Sequence, residues 1–214
     1  MTEANQKYLK TAEDGITRCW WGHEHLDYQH YHDHEWARPE ANDHKLFEKI
    51  CLEGFQSGLS WLTILRKRDG FREAFLDFDF DKVAQYDENK VEELLQNKGI
   101  VRHRGKIQAT INNAKRAQEI VKEFGSLAAY IWQWEPKTKE SHFGKDSNEY
   151  TLPSITETSI ALSKDLKKRG WKFFGPTTAY AFMQAMGLVN DHVEGCHSLE
   201  KTTAERQNFT VPLS

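Results

Sequence analysis

The chain has 214 residues, 38% hydrophobic, 12% aromatic and 29% charged, with a formal net charge of −3. That balance suits a soluble globular protein with one sizeable core, and no apolar run is long enough to span a bilayer. The slight negative charge excludes a global field for a polyanion, so any grip on nucleic acid has to come from local clusters.

Apolar residues recur at helical spacing in nearly every segment and period-two alternation is almost absent, so the expected fold class is all-α. Residues 1–17 have no apolar core of the kind a signal peptide carries; they are expected to fray, and the protein to be cytoplasmic. Residues 23–36, HEHLDYQHYHDHEW, hold five of the ten histidines. They fit a metal site, part of a pocket or a solvated loop. Asp43 can cap a helix carrying Leu46, Phe47, Ile50, Cys51 and Gly54, and Ser60 can cap another that runs through Leu62, Ile64 and Leu65 to Phe75.

Asp87 starts KVEELLQ, which Gly99 ends. From Arg104, IQATINNAKRAQEIVKEF makes a long helix closed by Gly125, and Ser126 begins the aromatic segment SLAAYIWQW, which Pro136 stops. Residues 136–153 are polar without period and read as a mobile loop. SIALSKDLKKRG forms a helix capped by Gly170, and PTTAYAFMQAMG one that begins with Pro176 and ends at Gly187. Residues 199–214 read as a frayed tail.

Several segments bear on chemistry. Glu53 lies three residues beyond Ile50 and seven beyond Leu46, on the apolar side of its helix, where a carboxylate must be paired, put to use, or reach water at the edge of the stripe. The stretch GWKFFGPTT joins two helices through Gly170 and Gly175. It offers free N–H groups to a phosphate, or is a plain corner between packed helices.

Near the end, NDHVEGCH puts His192 and Cys196 in an H-x3-C spacing, half of a metal site. Cys19 and a histidine of the opening stretch can supply the other half, though spacing alone does not choose among His23, His25, His30, His32, His34 and His197. The three cysteines, Cys51 included, are too few and too scattered for a secreted disulfide framework. Three basic clusters, Arg66 to Arg68, Arg102 to Lys106 and Lys164 to Lys172, are solvated helix faces or contacts to a polyanion.

Taken in order, RCWWG at residue 18, YHDHEW, KLFEKICLEGFQSGLSWLTILRKR, IVRHRGKIQATINNAKR and LSKDLKKRGWKFFGPTTAYAFMQAMGLVNDHVEGC resemble the bacterial 3-methyladenine DNA glycosylase I family of the helix-hairpin-helix glycosylase superfamily. The resemblance runs from residue 18 to residue 196. It implies a glycosylase unit over 18–198, with the hairpin at about 170–177. A departure is WARPE, where Ala37 stands in place of a more usual glycine; it reads as a small change.

The resemblance implies that Cys19, His32, His192 and Cys196 hold one structural Zn2+ per chain, tying the two ends together with no ligand position open for chemistry. It places the flipped 3-methyladenine among Trp21, Tyr31, Glu53 and Trp61, with Glu53 and Tyr31 the catalytic pair. Aromatic faces favour the cationic methylated base by roughly 0.5–2 kcal/mol per contact, and Glu53 can accept from its exocyclic amine.

The DNA grip falls to Gln56, Gly58 and Leu59 at the gap left by the flipped nucleotide, and to Gly175 and Thr177 at the hairpin. Thr177 stands where bifunctional superfamily members carry a Schiff-base lysine, which implies base excision by water without strand cleavage. Either Asn190 or Asp191 occupies the place of the superfamily's catalytic aspartate. The implied partner is alkylated double-stranded DNA, with no membrane, and a monomer suffices to search it.

Overall fold

The computed structural model describes residues 6–138 and 154–213. Most of the polar stretch 136–153 therefore lies outside the described residues. The fold is mostly helical, with one correction to the all-α expectation: residues Leu9–Thr11 (β1) and Thr17–Cys19 (β2) form a two-stranded antiparallel ribbon, Leu9 opposite Cys19. The part of the N-terminal segment from Leu9 on is thus folded. Gly15, at φ 77°, makes the turn, and Asp14 receives both the Ile16 N–H and the Arg18 guanidinium.

A short 3-10 turn, Trp20–Gly22, leads to α1 (Leu26–His34), which carries the histidine-rich stretch. The central element is α2 (Asp43–Gln56), buried on most sides; it packs against α3 (Trp61–Arg66), α7 (Arg104–Phe124), α8 (Leu127–Trp132) and α10 (Pro176–Ala185). Its cap is Asn42, whose side chain accepts the Lys45 N–H. Asp43, expected as the cap, instead accepts the Leu127 and Ala128 N–H groups and so secures the start of α8.

The helix expected to run on to Phe75 breaks at Lys67 into α3 and α4 (Arg68–Ala74). The bend seats Gly70 so close to Gly99 that a Cβ there would meet the Gly99 oxygen at 2.6 Å. After it, Leu76, Asp77 and Phe78 all take positive φ in a tight turn that buries Phe78 against Phe75, ahead of α5 (Phe80–Val83). Asp87 caps α6 (Glu88–Gln96) as expected.

α9 (Glu157–Lys168) and α10 enclose the hairpin. Gly170 takes φ 85°, and α7 pins the turn from below: Asn113 donates to Lys172 O and accepts the Lys172 N–H, both at 2.9 Å, while Asn112 donates to Gly170 O. The supposed C-terminal tail is a docked helix, α11 (Leu199–Asn208); Arg206 pairs with Glu135 and lies over Trp132, against which Phe209 also packs. No described helix is long and apolar enough to cross a membrane.

Candidate active site and metal centre

The ribbon, α1 and the loop after α10 converge on one buried cluster of Cys19, His32, His192 and Cys196. Cys196 Sγ lies 3.5 Å from His32 Nε2 and 3.5 Å from His192 Nδ1, and Cys19 Sγ lies 3.7 Å from His192 Nδ1. Edges of a tetrahedron around zinc, with bonds of about 2.0–2.3 Å, are about 3.3–3.8 Å, so the donor set and spacing fit such an ion. Interaction with Cys19, and then the two histidines, pull the Cys196 thiol far down, so a thiolate forms readily there.

His32 is oriented from behind. Its Nδ1 bonds Asp33 at 2.8 Å, and Asp33 also takes His197 and a bidentate contact from Arg18 of β2. Burial opposes the Asp33 charge, but those partners hold it well below the usual carboxylate range. Gly22 is required here, because a Cβ would sit 2.7 Å from the His32 ring.

The other side of Trp21 opens into a cleft of about 280 Å³ whose walls include Trp21, Tyr31, Glu53 and Trp61, the four residues expected together, along with Tyr28, Trp36, Gln56 and Gln184. Tyr31 and Trp61 lie 5.4 Å apart and tilted, and Trp36 meets Trp21 edge-on at 4.9 Å. The indole N–H of Trp61 is buried with no hydrogen-bond partner among the described residues. Glu53 is 6% exposed, and its side chain opens on the cleft without a hydrogen bond to any of the described residues. Burial pushes its carboxyl up to about 7, with Lys49 opposing that shift.

A groove adjoins the cleft, lined by Glu53, Gln56, Gly58, Leu59, Thr177 and Ala181 among others. Gly58 needs its freedom at φ 82°, and Leu59 projects 42% exposed. The turn is held by Lys106, which donates to Phe55 O and Ser57 O at 2.8 and 2.6 Å. Gly175 is the N-cap of α10, open on its Cα side and outside the groove lining.

Neither Asn190 nor Asp191 is in the cleft wall. The Asn190 amide is taken up by Thr202 and Thr203 of α11; Asp191 is buried one layer back, accepting from Tyr180 and from the cleft residue Gln184.

Two of the three basic clusters are largely tied up by acidic partners or buried, although Arg66, Arg102 and Arg104 stay exposed. Arg66 pairs with Asp27, Arg68 with Glu35 and Arg104 with Glu88 and Glu92, while Lys106 is buried. Sequence reasoning missed Lys49, Trp36 and Gln184 in or behind the cleft. The first is signalled only as a lysine one turn before Glu53, on a buried helix.

Residues 20–199 match the family model described as methyladenine glycosylase. The chain is 48% identical to DNA-3-methyladenine glycosylase 1 of Escherichia coli K12, over 85% of this chain and 96% of that protein. It is 47% identical to DNA-3-methyladenine glycosylase of Haemophilus influenzae, over 84% and 96%. Among solved structures, 3-methyladenine DNA glycosylase I from Staphylococcus aureus, described for its recognition of 3-methyladenine, superposes with a TM-score of 0.77 at 36% identity, covering 85% of this chain and 96% of that one.

Proposed function

The chain belongs to the methyladenine glycosylase family, and from that we propose that it flips 3-methyladenine out of alkylated duplex DNA and hydrolyses its N-glycosidic bond, leaving an abasic site without strand cleavage. The observation that carries this reading is the cleft itself. It is a narrow aromatic slot whose buried residue Glu53 has a carboxylate with no hydrogen-bond partner among the described residues. A carboxylate that opens on such a slot and is not tied up by the protein is an acceptor free for a ligand.

A purine methylated at N3 and still joined to deoxyribose is a cation. Tyr31, Trp21 and Trp61 offer it ring faces, and Glu53 accepts from its exocyclic amine and counters its charge. Adenine, being neutral, gains less from both, which supplies selectivity after the cost of flipping, about a few kcal/mol, has been met. The methylated base leaves as a neutral molecule, so the reaction asks little of a general acid. Burial, reinforced by Glu53, keeps the Tyr31 hydroxyl protonated, so Tyr31 serves as a polar ring.

Gln56, Gly58 and Leu59 form the turn that fills the gap in the duplex. The groove they share with Thr177, and the exposed Leu59, support that assignment. Gly175 and the first turn of α10 meet the backbone phosphate, which makes residues 170–177 the hairpin of a helix-hairpin-helix glycosylase. Thr177, with no amine, fits excision by water. The unit spans 18–198, acts as a monomer and works in the cytoplasm, where alkylated bacterial DNA lies.

Cys19, His32, His192 and Cys196 would hold one Zn2+, which supplies a structural crosslink between the chain ends and no chemistry. The buried donor set and its spacing support this.

Chromatography of the bases released from DNA treated with a methylating agent tests the function. Release of 3-methyladenine with 7-methylguanine left in place is expected. Binding without release would leave a damage-recognition module and no enzyme.

A further inference from the structure

Lys49 is a charge in an unexpected place. It is 7% exposed, and among the described residues its ammonium donates a single hydrogen bond, to the Tyr31 hydroxyl at 2.9 Å. The same nitrogen lies 4.6 Å from the centre of the Tyr31 ring and 4.2 Å from that of Trp61. It does not line the base cleft but a second, charged chamber behind these rings. An apolar residue of similar length would fill the position without the cost of desolvating an amine, so packing alone does not account for a lysine here.

The surrounding charges leave Lys49 facing Glu53. Of the groups around the ammonium, Glu35 at the end of α1 is bound to Arg68, Glu48 of α2 to Arg72 and Glu40 to Lys45, while Arg38 holds Glu205. His34 and Tyr31 complete the ring of titratable neighbours. Glu53, one turn along α2, is the nearby carboxylate with no ion pair among the described residues, and it belongs to the base cleft.

We propose that Lys49 is a positioning residue for charge: seated behind Tyr31 and Trp61, it opposes positive charge on the bound base and drives that charge onto the sugar as the bond breaks. This rests on the base lying in the cleft against those rings. In the step, the C1′–N9 bond breaks with its electron pair passing to the purine, which becomes neutral; water adds to C1′ and loses a proton to solvent. Repulsion from Lys49 therefore acts on the bound cation and is relieved in the transition state, the pattern of ground-state destabilisation.

A base stacked about 3.5 Å from the open face of Trp61 would lie about 8 Å from the ammonium, where the repulsion is worth roughly tenfold in binding. Burial holds the Lys49 amine down to about 8, with Glu53 the chief opposing influence, so this charge is lost as pH rises through that value.

The test compares wild type with Lys49→Met and Lys49→Arg. Tryptophan fluorescence follows binding of the permanent cation 3,9-dimethyladeninium and of neutral 3-methyladenine, and single-turnover release from methylated DNA gives a rate constant and a half-saturation concentration. K49M should bind the cation about tenfold tighter and the neutral base unchanged, and should lower rate constant and half-saturation together, roughly tenfold each. The wild-type rate should fall above pH 8, a limb absent from K49M and from K49R, which stays charged and keeps the rate. Equal effects on both ligands, or a K49M loss confined to rate, would overturn the role of Lys49. Failure of wild type to bind either ligand would remove the base-cleft reading beneath it.

Discussion

Ala37 occupies the left-handed region at φ 61° while 1% exposed, so its methyl group is held in a conformation that costs a non-glycine residue about 1–2 kcal/mol. Ala37, which reads as a small departure in the sequence, is thus a strained position beside Trp36 and the cleft. Glycine's extra chain entropy offsets part of the relief. A37G should raise stability by roughly 0.5 kcal/mol, read as a higher urea midpoint at unchanged slope; a lower midpoint would mean that the buried methyl outweighs the strain. Backbone dihedrals of this kind cannot be seen in residue order, which is why neither Ala37 nor the turn at 76–78 was legible beforehand.

At the scale of elements, periodicity located the helices well because burial of one face leaves a 3.6-residue signature, as in α2, α6 and α7. Their junctions were less legible. The break at Lys67 goes with the close contact of Gly70 with Gly99, and the cap of α8 comes in part from Asp43, both far away in sequence. The hairpin was readable from its glycines and proline, but its anchorage by Asn112 and Asn113 was not, because a polar residue inside a helix announces no partner. The ribbon β1–β2 was missed for want of length: two strands of three residues carry too little alternation to detect.

Over the whole molecule, the candidate metal cluster is a tie between chain ends: Cys19 comes from the ribbon and His192 and Cys196 from the loop before α11, with His32 on α1 between them. His32 and Trp21 also meet edge-on at 5.1 Å, so the tie and one cleft wall are in contact. Loss of the ion should therefore loosen the pocket as well as the termini. Replacing Cys196 by serine should reduce zinc to well below one per chain and lower the melting temperature by roughly 6–12 °C, for a loss of about 3 kcal/mol. Unchanged zinc content in that variant would dissolve the proposed ligand set. The resemblance singled out His32 among the histidines of 23–36, and the structure places it with the other three donors; spacing alone had no means of choosing it.

In the proposed reaction the Glu53 carboxylate, without a hydrogen-bond partner among the described residues, recognises the flipped base. Single-turnover release of 3-methyladenine by wild type and Glu53→Gln, followed from pH 6 to 8, tests it most directly. A charge-assisted hydrogen bond is worth about 1.5–3 kcal/mol, so the glutamine variant should be roughly 10- to 100-fold slower at pH 7.5. Because burial raises the Glu53 pKa, wild-type activity should climb as pH rises through about 7 and ionises the group, whereas the variant should lack that rise. Equal rates, or the same acid limb in both proteins, would contradict the account.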